Sequence, residues 1–385
     1  MAPLLLFLGF AFLAPIGTFL WRAVAESEVA PVLPRTLSAL AGWDGGAVPD
    51  AAFAALAEDL REARARDQQD GSGGVARAAA RLNAALPGFR STLPATARRL
   101  ADPAAPPRET ALAVSAEWDS PDTWAVIRRL GGPVSAGNLL AALDLRQDAR
   151  GAVVAVPPEE AVFRTVMLRT LWISLLATVI ALLLGYPLAA LIATAPPRAS
   201  LWLLGLTTLP LWVSDVPRIA AWIVLLQRDG VLNATLLGLG LFDAPGSFLF
   251  TRGTVLAATV NLLLPFMVLP IFASLRGLDW RLVRAAASLG ATPWQSFRRV
   301  VLPLSLPGVG AGCLLVFIQA LGFYVTPALL GGPNEQMISS LIGFYANRTV
   351  NWGLAAALAV ILLAAVLVVA GLYARLVGFE RRQPA

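Results

Sequence analysis

The chain has 385 residues, 57% of them hydrophobic and 14% charged, with a mean hydropathy of +0.69, whereas a soluble domain carries roughly a quarter charged residues. Composition therefore puts it in the membrane class. All its basic residues are arginine and it has no histidine, which removes the lysine of a Walker A phosphate loop and the imidazole of a zinc site or a catalytic triad. Cys313 is the one cysteine, so no internal disulfide forms, and within an apolar run it reads as a small hydrophobe. No metal or cofactor is implied.

A bilayer core needs roughly 20 apolar helical residues, and six such runs appear in chain order, at about 2–21, 166–193, 201–226, 253–275, 306–330 and 354–374. Domain 1–24 is thus a first transmembrane helix. Ala23-Val24-Ala25 after it offers the alternative of a cleaved signal peptide, but no positive residue precedes the run and the run is long for a signal core, so retention as an anchor is the expectation. Residues 25–164 form a polar insert of net charge −3, against +9 for the rest of the chain. Helical spacing and high helix propensity at 51–66 and 76–90 predict a mainly helical extracytoplasmic domain, with loops at 71–74 and 103–107. Residues 165–380 form a five-helix core. With both termini cytoplasmic, the inside segments hold nine arginines, Arg381 and Arg382 among them, against two acids, while the opposite short loops hold three of each. That bias sets the orientation.

The loop at 278–303 has its own logic. Asp279 is placed to cap a short helix with Ala285, Ala286 and Ala287 on its small face, and Gly290 to end it in a left-handed C′ conformation. Thr292, Pro293 and Gln295 then read as a fresh N-terminus with a capping box. The second helix is expected to stop near Leu302, before Pro303. By helical character alone this is an ordinary amphipathic loop; as a compact knob it is a docking shape.

The spacing of Ala285, Ala286, Gly290, Val300, Leu302 and Pro303 resembles the EAA loop of ABC importer permeases. Stretches 208–233, 261–279 and 315–333 are similar to the spermidine/putrescine, PotB-like members of that family. The resemblance implies an all-α membrane protein, a type I ABC permease (MetI-like) bundle of six transmembrane helices carrying the helical insert. It implies that the loop docks on a separate ATPase, so the chain is not itself an enzyme. Arg284 stands where the family has glutamate. The implied partners are a cytoplasmic ABC ATPase dimer, a second permease subunit in a hetero- or homodimer, a periplasmic substrate-binding protein, a small solute such as putrescine or spermidine, and membrane lipid; no nucleic acid is implied.

Charged and polar residues inside spans must face protein or water. Asp215 and Arg218, three apart on one helical face, can pair, either as a neutralised packing device or lining a path or gate. Gln319 and Tyr324 are candidates for solute contact, and Asn261 for an inter-helical hydrogen bond. Two rival readings remain on sequence alone: a membrane-anchored sensor or assembly factor working through residues 25–164, and an ion-coupled secondary transporter.

Overall fold

The structure, a computed structural model, describes residues 2–25, 28–83, 85–148 and 151–380, without the side chains of residues 2, 4, 5 and 376–380. Arg381 and Arg382 lie outside the described residues. The chain divides into two compact units, residues 1–164 with 350–360, and residues 165–349 with 361–385.

The first unit opens with an apolar helical run, α1 (Ala2–Leu8) and α2 (Ala14–Trp21) joined by a π turn, Gly9–Leu13. The insert follows as α3 (Pro34–Ala39), α4 (Asp50–Asp70), α5 (Gly74–Asn83), α6 (Phe89–Arg99), α7 (Pro107–Val114), α8 (Pro121–Leu130) and α9 (Gly137–Ala141), then an antiparallel pair, β1 (Leu145–Gln147) and β2 (Val153–Ala155). The expected helix at 76–90 is two: α5 stops at Asn83, Pro87 cannot donate and Gly88 is left-handed, while Asn83 Oδ1 accepts from the Gly88 and Arg90 amides. The core is aromatic. Trp118 and Trp124 are fully buried with ring centroids 5.6 Å apart, flanked by Phe89 and Phe53. Both indoles keep a partner, Trp118 Nε1 donating to Thr96 Oγ1 at 3.0 Å and Trp124 Nε1 to the Trp118 carbonyl at 2.8 Å, as buried indoles require.

Three carboxylates cap helices other than by adjacent sequence. Buried Asp59 on α4 accepts from the Arg35 and Thr36 amides at the start of α3, where the preceding Leu33 has no oxygen to offer. Asp67 accepts from the Gly74 and Val75 amides at the start of α5. Asp144 accepts from the amides of Val162, Phe163 and Arg164 at 2.7–3.1 Å, and so caps α10 (Phe163–Thr194). Each satisfies donors that a helix start leaves orphaned.

The second unit contains α10 from residue 165, α11 (Pro197–Thr208), α12 (Asp215–Leu226), α13 (Val231–Gly238), α14 (Arg252–Arg276), α15 (Trp280–Ser288), α16 (Pro293–Ser296), α17 (Leu302–Gly322), α18 (Val325–Leu330), α19 (Ile338–Asn347) and the later part of α20 (Trp352–Glu380). Helices α14 and α17 approach closely where α17 has no side chain: a Cβ on Gly308 would lie 2.6 Å from the Pro270 carbonyl oxygen, and one on Gly312 3.0 Å from that of Met267. Small residues at such a seam are how membrane helices gain van der Waals contact.

Among the described residues, four helices are long and apolar enough to cross a membrane: Phe163–Thr194, Arg252–Arg276, Pro293–Gly322 and Trp352–Arg375. The expected third span is a bent pair, Pro197–Trp212 and Asp215–Gly238, turning by 98°. Pro210 starts a 3-10 turn, Leu209–Trp212, Val213 and Ser214 are extended, and the helix restarts at Asp215, as expected when a proline removes a ladder donor. Leu6–Trp21 is a shorter apolar helix. The expected fifth span, 306–330, also differs: the helix begins at Pro293 and ends at Gly322, and Phe323 is extended before α18.

Candidate functional site

Residues 278–303 fold from local signals. Asp279 Oδ1 accepts from the Arg281 amide at 2.9 Å, capping α15. At the other end Gly290 has φ +85°, its amide donates to the Ala287 carbonyl at 3.0 Å, and the Ala291 amide donates to the Ala286 carbonyl at 3.1 Å. This is a Schellman closure with glycine at the left-handed position. Two residues on, the Thr292 amide donates to Gln295 Oε1 at 2.9 Å and the Gln295 amide to Thr292 Oγ1 at 3.3 Å, with Pro293 in the first turn.

The second helix does not stop at Leu302. A π turn, Phe297–Val301, carries α16 into α17, with the Leu302 amide reaching back to the Phe297 carbonyl. In an α-helix the Pro303 ring would clash with the carbonyl four residues back; the wider turn shifts that register, so the chain passes Pro303 without ending. Val300 and Leu302 are half-buried and Pro303 is exposed.

The knob presents apolar surface outward. Leu289 is 89% exposed, Trp294 67% and Leu282 50%, and Arg281, Arg284, Arg298 and Arg299 are all exposed around them. Ala285 is exposed and Ala286 half-buried. Apolar side chains grouped this way and rimmed by polar ones mark an interaction surface. Behind them Trp294 stacks on Phe297 at 5.4 Å, Phe297 meets Tyr186 of α10 edge-on at 5.8 Å, and Tyr186 Oη lies 3.0 Å from Ser305 Oγ of α17. An apolar cavity of about 530 Å³ lies between Tyr186, Phe297, Trp280 and Val283. The loop is thus keyed to α10 by an aromatic contact, and α10 to α17 by a hydrogen bond.

Asp215 and Arg218 do pair, Arg218 Nη2 donating to Asp215 Oδ1, but in the first turn of α12 after the break rather than at the middle of a span. Arg218 Nε and Nη1 are buried without a partner among the described residues, while Asp215 is half exposed. Gln319 is exposed on α17 and Tyr324 sits exposed at the break before α18, its ring against Gly343. No hydrogen bond or ion pair among the described residues joins either of them to Asp215 or Arg218. Asn261 lies on the exposed face of α14, and among the described residues it makes no inter-helical hydrogen bond.

Sequence reasoning missed a polar cluster of the second unit. Arg252 grips nearly buried Glu335 through Nε and Nη2 at 3.0 and 3.2 Å, Arg169 Nη1 donates to the Gln336 carbonyl, and the Ile338 amide donates to Thr170 Oγ1 at 2.9 Å. Together these fix residues 335–338 to α10 and α14. The available signal was Arg169, a lone arginine inside an apolar run.

Residues 181–381 match the family model described as binding-protein-dependent transport system inner membrane component. The chain is 38% identical over 197 residues to the spermidine/putrescine transport system permease protein PotB of Escherichia coli K12, covering 51% of this chain and 72% of that one. It is 38% identical over 212 residues to PotB of Haemophilus influenzae, covering 54% and 74%, and 31% identical over 258 residues to the molybdenum transport system permease protein ModB of Mycobacterium bovis, covering 66% and 94%. The family match spans the knob, α17 and the Arg252–Glu335 pair, and leaves out the insert and the first part of α10 with Arg169 and Thr170. The chain belongs to the binding-protein-dependent transport system inner membrane component family, as a multi-pass, non-catalytic permease subunit of an ABC importer.

Proposed function

We propose that this permease moves a polyamine such as putrescine or spermidine, delivered by a periplasmic binding protein, and couples to a cytoplasmic ABC ATPase dimer through Arg284, Ala285, Ala286, Gly290, Val300, Leu302 and Pro303. The single observation that carries the coupling role is the closed helix-turn-helix at 279–295 with Leu282, Leu289 and Trp294 exposed on it. A rigid knob can enter a groove on a partner and be pushed by it, and the aromatic contact to α10 and the unbroken run into α17 would pass that motion on. The exposed arginines suit an acidic groove rim, and at residue 284 they replace a glutamate-dependent contact by one that needs a carboxylate on the partner.

In this reading both termini are cytoplasmic, residues 25–164 lie outside, and a second permease completes the path. ATP binding and hydrolysis would shift the population between outward- and inward-facing states. The polyamine rests on the 38% identity to the two PotB chains and suits the half-exposed carboxylate of Asp215. A second reading, an oxyanion, is favoured by the two unpartnered buried nitrogens of Arg218.

The test is uptake of radiolabelled putrescine, spermidine and molybdate in cells with and without the chain, run in parallel with an ATPase-inactive background. Polyamine uptake lost in both is the expected result. Loss of molybdate uptake alone would move the reading to the oxyanion, and uptake indifferent to the ATPase would remove the coupling role.

A further inference from the structure

We propose that Phe250, Arg252 and Glu335 form a latch at the end of α14 remote from the knob, holding residues 323–340 against α14 in one state of the transport cycle and releasing them in the other. They are positioning residues, and the inference rests on membership of the permease family rather than on the polyamine or on the residues assigned to ATPase coupling. At a rise of about 1.5 Å per residue, the 25 residues of α14 put Arg252 about 36 Å from Arg276, beside which the knob starts.

Residues 323–340 close on themselves. Helix α17 ends at Gly322 and Phe323 is extended. Two carbonyls at that break are taken up from the far end of the segment, Ser339 Oγ donating to the Phe323 carbonyl and Ser340 Oγ to that of Tyr324. Such an interrupted helix can hinge without breaking a helical ladder. Within the segment, Leu330 of α18 is fully buried in a cluster with Ile219 of α12 and Ala258 of α14. A shift of α18 therefore bears on α12, whose first turn carries Asp215 and Arg218.

The tie to α14 has two parts. The Arg252 guanidinium forks onto the nearly buried Glu335 carboxylate while its own side chain is half exposed, so the pair sits at an edge that water reaches once it parts. Bidentate charge-assisted bonds of this kind define one geometry. Beside it, the Phe250 amide donates to the Leu330 carbonyl at 3.1 Å with φ +61°, in the left-handed region that a bulky side chain adopts only when its surroundings hold it there. That strain is relieved when Leu330 moves away, which favours a joint with two states over a permanent weld. Arg169 and Thr170 of α10 bond the Gln336 carbonyl and the Ile338 amide, which makes residues 336–338 the pivot and the α14 side the part that opens.

The experiment uses the full chain assembled with its ATPase, in a Cys313→Ala background carrying Phe250→Cys and Gly332→Cys. A Cβ on Gly332 lies 3.8 Å from the Phe250 Cβ, the separation a disulfide needs. Bond formation with copper phenanthroline is followed by loss of maleimide labelling. It is expected to run roughly tenfold more slowly in the vanadate-trapped, ATP-loaded complex than without nucleotide, as when the latched state falls to about a tenth of the population. Glu335→Gln is expected to slow it severalfold without nucleotide. Hydrogen exchange at the Phe250 amide makes the same comparison on the unmodified chain, with faster exchange expected in the trapped complex. Equal rates with and without trapped nucleotide overturn the latch, and a rate unchanged by Glu335→Gln overturns the part given to the ion pair. No solute enters either measurement, so failure of the polyamine reading leaves the result standing.

Discussion

Asp215 and Arg218 separate a structural from a transport role by their exposure. Arg218 is largely buried while Asp215 is half open, and such part-exposed pairs contribute about 0–1 kcal/mol. Asp215→Asn should therefore leave the melting temperature of the purified permease nearly unchanged while lowering solute uptake severalfold; a melting temperature that falls with unchanged uptake would make the pair a packing device. Asp67 gives a pH dependence instead. Desolvation pushes its pKa up, but hydrogen bonds from Ser72 Oγ and the Val75 and Gly74 amides outweigh it, so the net shift is below the ordinary value of 3.8. A depressed carboxylate stabilises the fold fully above that unfolded value, and the contribution is lost as pH falls through the folded one. The α4–α5 corner should thus open in hydrogen exchange as pH drops below about 4, and Asp67→Asn should flatten that dependence.

At the scale of elements, the knob is where the proposed coupling role can be tested. Gly290 is at φ +85°, a region that costs an alanine about 1–2 kcal/mol, although no atom blocks a Cβ there. Gly290→Ala is expected to lower the stability of the turn by that amount and to reduce solute-stimulated ATPase activity in the reconstituted complex, with basal ATPase activity unchanged. Thr292→Ala removes one half of the capping box and should cost about 1 kcal/mol, read by thermal unfolding. The turn was legible in the sequence because each of its signals acts within four residues: Asp279 on the Arg281 amide, Gly290 on the closing carbonyls, Thr292 on Gln295. Continuation through Pro303 was not legible, since a proline reads as a stop unless the preceding turn widens, and the π turn that widens it begins at Phe297, which contacts Tyr186 and Trp294.

At the scale of the whole molecule, the insert has a buried core of its own within the first unit, built on Trp118, Trp124, Phe53 and Phe89. Trp118→Ala empties a fully buried site and orphans Thr96 Oγ1 of its indole donor, a change worth about 3–5 kcal/mol. Limited proteolysis should then cut within residues 34–141 while the core helices from α14 onward stay intact; resistance equal to the parent would mean that the insert draws its stability from elsewhere.

Composition, apolar run length and short-range caps were sufficient for the membrane class, the long helices of the core, the helical insert and the knob at 279–295, because hydropathy and capping are properties of neighbours in sequence. The 98° break before Asp215, the Arg252–Glu335 grip, and the long-range caps by Asp59 and Asp144 were decided only by tertiary structure. A hydropathy run averages over a two-residue break, and a hydrogen-bonding side chain chooses its partner by distance in space, which residue spacing does not encode once the partners are on different helices.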